Sequence, residues 1–228
     1  MTPVTASATR EVIVGKNSTV WKSVVGRAGI ATRFDTAIGH EDLARFRFSS
    51  TDRVWVFSYS RSSLENTRML EALAAGGPAE VVYVSSSSTI VTQRTLCYEY
   101  PRVKRQAALD ARRLLNARVL CLGLVYVDRA ELPAGLNAAT SICDLAEFML
   151  APRWNPEAGA DTLLFELVDG PPAGSVERSA RLVYDAVQWQ LRSWPCLLRP
   201  VDLLLRTVGY RWYGYTNLSN RLWSSTTS

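Results

Sequence analysis

The sequence predicts an α/β protein in which a parallel sheet carries helices on both faces, with a small lobe at its C-terminal end. Three observations carry this prediction. Short β-branched runs alternate with segments of helical spacing over most of the chain. The 228 residues, 47% hydrophobic and 21% charged, suffice to bury one sizeable core. A Pro- and Gly-rich segment, "DGPPAGS" from Asp169 to Ser175, marks a linker, beyond which the composition shifts toward Trp, Tyr, Arg and Leu. The predicted division is therefore residues 1–170 and residues 171–228.

Taken in order, "EVIVG" (Glu11 to Gly15) reads as a short buried strand, followed by a helix of about ten residues through Trp21 and Val25. "GIATRF" and "DRVWVFS" read as further strands. "SLENTRMLEALAAGG" has helical spacing and a glycine stop, and "AEVVYVSSSS" is a β-branched run ending in serines. "YPRVKRQAALDARRLLN" is a charged amphipathic helix, and "ARVLCLGLVYV" a strand. No internal repeat is present.

Composition narrows the chemistry. Only Lys16, Lys22 and Lys104 among the 26 basic residues are lysines, so arginine is the default cation of this chain. The net charge of +5 permits an anionic partner. The arginines form no run of like charge, so nucleic acid is not the expected one. Cys97, Cys121, Cys143 and Cys196 have no CxxC pairing and read as small core residues, with neither a disulfide nor a metal role. "MTPVTASATREVIVG" has no long apolar run, which predicts neither a signal peptide nor a spanning helix and a cytoplasmic protein. His40, the sole histidine, precedes "EDL" and reads as a helix-start residue, which argues against a histidine-based triad. Glu65, Asp144 and Glu147 read as helix-surface or capping residues, and no carboxylate pair suggests glycosidase chemistry.

In an open parallel sheet ligands bind outside the carboxyl ends of the strands. After the first strand, "GKNSTVW" turns into a helix whose free N–H groups would face a phosphate, with Lys16 adding charge. It is no P-loop, because the upstream glycine of GxxxxGK[ST] is missing. After "VVYV" come Ser85 to Ser88, then Tyr100 and, four residues on, Lys104 on the same helical face. A tyrosine near its ordinary pKa of about 10 is a poor proton donor or acceptor at neutral pH unless a nearby cation stabilises its phenolate. An ammonium does this and holds a ribose hydroxyl as a compact point charge, where arginine's planar fork would fit badly. The bland alternatives are a plain polar loop at Ser85 to Ser88 and a solvated helix face bearing Arg102 and Arg105. Tyr98 lacks a lysine four residues on, since Arg102 stands there.

These segments together resemble the short-chain dehydrogenase/reductases, in the extended or atypical branch of nucleotide-sugar epimerases and dehydratases. "VVYVSSSSTIV" is similar to that branch's strand-and-serine segment, and "YPRVK" to its Tyr-x-x-x-Lys motif. "ENTRMLEAL" resembles the helix carrying the family's asparagine, here Asn66. "LGLVYV", "SICDLAEFML" and "LFELVDG" resemble its later strand, its Asp-Leu-Ala helix and the strand before its C-terminal part. The resemblance covers most of residues 11–170 and implies a Rossmann-type domain with NAD or NADP on the carboxyl edge of the sheet. It implies Tyr100 as acid/base, Ser87 orienting the substrate carbonyl, and Lys104 binding the ribose and lowering the Tyr100 pKa. Gly15, Lys16, Asn17, Ser18, Ser58 and Asn66 would contact the cofactor, with Asp35, twenty residues after Gly15, near the adenine. Two departures stand out. Of the family's GxxGxxG only Gly15 remains, with Ser18 and Trp21 in the other places, so Trp21 either pushes its helix outward or takes cofactor space. Between "GIATRF" and "DRVWVFS" there is room for about one helix, where the family has a helix, a strand and a helix.

The C-terminal part reads two ways. Its Arg and Tyr residues, with "GYTNLSN", suit a lobe that binds a nucleotide-linked sugar. Leu197, Leu198, Val201, Leu204 and Leu205, with Arg199, Arg206 and Arg211, suit an interfacial helix on an anionic membrane over residues 190–223. The resemblance thus implies an NAD(P)-dependent oxidoreductase or epimerase acting on a nucleotide sugar, in surface polysaccharide assembly, as a possible homodimer. The alternative is a non-catalytic relative that binds a nucleotide sugar or a partner protein.

Overall fold

The computed structural model describes residues 9–34, 36–91, 99–132, 138–151 and 161–167, together with Trp194, Cys196 and Pro200. The predicted linker at Asp169 to Ser175, the boundary at 170, Asp35, Tyr98, "GYTNLSN" and nearly all of residues 190–223 lie outside the described residues. The chain divides into two compact units. One holds the described residues up to Ser85 with Gln106–Cys121 and Ile142–Leu163; the other holds Ser86–Arg105, Leu122–Ser141 and the described residues from Leu164 on.

The first unit is built on a six-stranded sheet. In chain order its strands are β1 (Glu11–Val14), β2 (Thr36–Ile38), β3 (Arg53–Val56), β4 (Glu80–Ser86), β5 (Arg118–Leu122) and β8 (Thr162–Leu164). Their spatial order is β2-β1-β3-β4-β5-β8, and β1 pairs in parallel with both β2 and β3, as β3 does with β4. Val12, Ile13, Val14, Val54 and Val56 are wholly buried, so these strands read as unbroken apolar runs rather than as alternating ones. Glu11 is buried at the start of β1 because Arg33 at 3.0 Å, Arg53 at 3.1 Å and the Trp55 indole N–H at 2.9 Å satisfy its carboxylate. The order reverses direction between β1 and β3, which opens a crevice at their carboxyl ends.

The helices are α1 (Thr19–Val24), α2 (Ile30–Arg33), α3 (Ser63–Gly76), α4 (Ser88–Val91), α5 (Glu99–Leu115) and α6 (Ile142–Leu150). Ser62 caps α3 by accepting from the Glu65 N–H at 3.4 Å, and Gly77 ends it in the left-handed conformation at φ 65°. Gly77 is the glycine stop that the sequence carries.

Four expectations are corrected. "GIATRF" is not a strand: Gly29 turns the chain at φ 81°, and Ile30 and Phe34, four apart, both enter the core as a helical turn requires. The helix after β1 runs six residues rather than about ten. "ARVLCLGLVYV" is two strands, because at Gly123 a side chain would stand 2.6 Å from the Ala138 backbone. There the chain leaves the large sheet, and β6 (Leu124–Tyr126) joins β7 (Ala138–Ser141) and β9 (Glu166–Leu167) in the three-stranded sheet of the second unit. Of the cysteines read as core residues, Cys121 is buried, but Cys143 and Cys196 are exposed.

Candidate active site

In the first unit the site begins at the carboxyl ends of β1, β2 and β3. Gly15 follows β1 at φ 108°, and a Cβ there would lie 2.6 Å from the Ser58 backbone nitrogen. Backbone approach between the ends of β1 and β3 therefore requires this glycine by itself. Trp21 settles the departure noted in the glycine motif. It is 4% exposed and packs on Phe34 and Phe57 at 6.2 and 5.9 Å between ring centres, so its indole belongs to the core.

Lys16 is exposed and reaches across to the segment after β2, where its Nζ lies 2.8 Å from Asp42 and 4.0 Å from Glu41. The hydrogen bond to Asp42 raises the Lys16 pKa. The same bond, with a second from the Gly39 N–H at 3.1 Å, lowers that of Asp42. His40 opens the short 3-10 turn His40–Asp42, as a helix-start residue should, and is exposed. Asn17 is exposed and Ser18 half-buried in the turn into α1.

Between the segments that follow β2 and β3 and the first turns of α3 lies a cleft of about 270 Å³. Leu43, Ala44, Met69 and Ala72 give it an apolar lining; Ser58, Ser60, Asn66 and Glu65 give it polar groups, with His40 and Glu41 beside them. Asn66, 1% exposed, clamps the loop after β3: its Oδ1 accepts from the Ser60 N–H at 2.8 Å and its Nδ2 donates to the Ser60 carbonyl at 2.7 Å. Ser58 and Asn66 thus line one cleft. Glu41 and Asp42 were missed. No local motif marks them, because they meet Lys16 across 25 and 26 residues of chain.

In the second unit the chemistry gathers after β4. Ser86 ends the strand, Ser87 turns, and Ser88 opens α4. Ser87 is buried; its N–H donates to the Leu122 carbonyl at 2.7 Å, and its hydroxyl has no hydrogen bond among the described residues. Tyr100 and Lys104 stand one turn apart on α5, and Lys104 is only 6% exposed. Val103, Ala107, Ala108 and Ala111 are buried on the same helix, whereas Arg102 is exposed and Arg105 half-buried. Burial raises the Tyr100 pKa, against a hydrogen bond with Ser86 that lowers it.

Among the described residues no group of three or more His, Cys, Asp or Glu could hold a metal. Nor is any helix among them long and apolar enough to cross a membrane.

The sheet order and the tyrosine-lysine helix define a Rossmann-type α/β protein. No family model matches the sequence, and no curated protein matches it. Solved structures resemble it in fold. A short-chain dehydrogenase/reductase superfamily protein from Agrobacterium tumefaciens with bound NAD has a TM-score of 0.50 at 14% identity, covering 70% of this chain and 79% of its own. UDP-N-acetylglucosamine 4-epimerase from Bacillus cereus has a TM-score of 0.49 at 11% identity, covering 76% and 85%. TunA, an NAD-dependent NDP-hexosamine 5,6-dehydratase of tunicamycin biosynthesis, has 0.49 at 15% identity, covering 65% and 74%.

Proposed function

We propose that the chain is an NAD(P)-dependent oxidoreductase or epimerase acting on a nucleotide-linked sugar, with Tyr100 as acid/base. The observation that carries this reading is the placement of Tyr100 with a buried lysine one turn on. A surface tyrosine-lysine coincidence would leave the lysine in solvent.

The cleft in the first unit fits the adenosine end of a dinucleotide, with apolar walls for a planar base and hydroxyl, amide and carboxylate groups for a ribose. Ser58 and Asn66 would line that end, and Gly15, Lys16, Asn17 and Ser18 would stand toward the diphosphate. The neighbour of TM-score 0.50 carries NAD. When bound, the nicotinamide would supply hydride acceptance or return. This chain's residues would do the rest: Lys104 holding a ribose hydroxyl, Ser87 offering its hydroxyl to the substrate carbonyl, and Tyr100 moving the proton at its phenol oxygen. The sugar substrate and a place in surface polysaccharide assembly rest on the resemblance of the sequence segments.

One observation favours a second reading, that of a non-catalytic binder: Lys16, the cation of the degenerate glycine loop, is already paired with Asp42. Titration with NADH, NADPH and UDP- and dTDP-sugars, followed by tryptophan fluorescence, separates the two. The enzyme reading expects micromolar dinucleotide affinity and turnover of a nucleotide sugar that falls roughly 10²–10⁴-fold in Tyr100→Phe. Sugar binding without dinucleotide binding at millimolar concentration refutes it in favour of the binder.

A further inference from the structure

We propose that Lys16 and Asp42 form a strap that positions one wall of the cleft in the first unit, so that Lys16 serves a bound nucleotide through that wall and not as a ligand to its phosphates. Four residues of the wall, His40, Glu41, Leu43 and Ala44, stand in the segment after β2. Asp42 sits in the middle of them yet, like Lys16, is not among the described residues that line the cleft. Its carboxylate is committed to Lys16 and Gly39. Oδ2 accepts from Lys16 Nζ at 2.8 Å and from the Gly39 N–H at 3.1 Å, while the Asp42 N–H donates to the Gly39 carbonyl at 3.2 Å. The turn is thus closed on itself and tied to the loop after β1. At its start the Gly15 and Lys16 N–H groups both donate to the Ile38 carbonyl, at 2.8 and 3.0 Å.

A short segment fixed at both ends leaves little freedom between them. Ile38 is held by main-chain bonds, Asp42 by the ion pair, and Leu43, 5% exposed, roots the wall in the core. His40 and Glu41 lie between these points and are exposed, so the strap sets where they stand. The charges argue against a phosphate ligand. Lys16 faces Asp42 at 2.8 Å and Glu41 at 4.0 Å, so a phosphate could take its ammonium only by breaking the hydrogen bond and leaving two carboxylates before the anion. Both partners of the pair are about half exposed, so its effect is modest, screened by salt and confined to the turn. That the cleft receives a nucleotide rests on the proposed function, whereas the strap itself does not.

The test measures adenosine and ADP binding by isothermal titration calorimetry. Adenosine carries no charge, so Lys16 can affect it only through the wall. Lys16→Met and Asp42→Asn should each weaken both ligands by the same factor, about two- to five-fold for an exposed pair, and the double variant should bind no worse than either. Asparagine still accepts from the Gly39 N–H, so Asp42→Asn removes the ion pair alone. Lys16→Arg, which keeps the cation, should recover most of the affinity. Raising salt to about 0.5 M should weaken adenosine binding in the wild type and leave Lys16→Met unmoved. Loss of ADP affinity alone in Lys16→Met, or tighter ADP binding in Asp42→Asn, overturns the inference and returns Lys16 to the phosphates. Wild-type affinities in both variants overturn it as well. If the wild type binds neither ligand at millimolar concentration, the cleft reading within the proposed function fails, and amide hydrogen exchange at Gly39 decides the strap. Faster exchange in Lys16→Met then supports it, and unchanged exchange overturns it.

Discussion

Replacing Lys104 by arginine keeps the charge and changes only shape, which makes it the sharpest single test of the site. Lys104 is 6% exposed, and Ala107, Ala108 and Ala111, at 1%, 8% and 0%, continue its buried stripe along α5. Arginine adds a wider, planar head where the lysine already fills its place. Overpacking of a well-packed site costs about 1–3 kcal/mol. For a chain of this size each kcal/mol lowers Tm by about 2–4 °C, so the expected drop is about 2–12 °C. An exposed lysine-to-arginine change stays within about 0.5 kcal/mol. Differential scanning calorimetry measures the drop, and dinucleotide titration by tryptophan fluorescence should show weakened binding beside it. Lys104→Met separates the two effects, since its apolar stem retains most of the packing while the ammonium is lost. It should melt closer to wild type yet bind dinucleotide as poorly as Lys104→Arg. An unchanged Tm and wild-type affinity in Lys104→Arg would refute both the burial argument and the ribose-binding role.

Three further outcomes follow from the same packing. Gly15→Ala places a Cβ 2.6 Å from the Ser58 backbone at φ 108°, a conformation worth about 1–3 kcal/mol of strain for a non-glycine residue, so its urea midpoint should fall even without any ligand. Trp21→Ala should cost about 3–5 kcal/mol in chemical denaturation, as for other buried aromatics, and tighten no dinucleotide; tighter binding in a stable variant would place the indole in the cleft instead. Asp52 would be raised by burial, but bonds from the Arg10 guanidinium and the Ser49 N–H hold its carboxyl below the ordinary range. A depressed carboxylate adds stability above its unfolded value of about 4 and loses it as pH falls through the folded value. Asp52→Asn should therefore cost about 1–2 kcal/mol at pH 7, given the exposure of Arg10, with the gap to wild type closing in acid. A gap that stays constant down to pH about 2 would rule this account out.

Local pattern carried the elements whose signal is contained within one segment. "EVIV", "RVWV" and "EVVYV" are β-branched runs too apolar for a half-exposed strand, and they became the buried parallel strands. "SLENTRMLEALAAGG" carried its helical spacing and its glycine stop, so the body and end of α3 were legible, while its cap, Ser62, stands just before that segment. "GIATRF" failed because six residues with apolar positions at its ends satisfy a helical turn as well as a strand. The choice was made by Gly29 and by the core that receives Ile30 and Phe34.

For the site, the sequence by itself determined which residue types are present and their spacing along single elements. Tyr100 and Lys104 share a face because a helix repeats every 3.6 residues, and the serines stand at the end of a strand because β-branched residues precede them. Only the tertiary structure decided what those residues meet. It buried Lys104, turned Trp21 into the core and paired Lys16 with an aspartate 26 residues away. Each of these depends on where a strand ends and which neighbour it pairs with. That is a property of contacts distant along the chain, to which periodicity and local propensity carry no information.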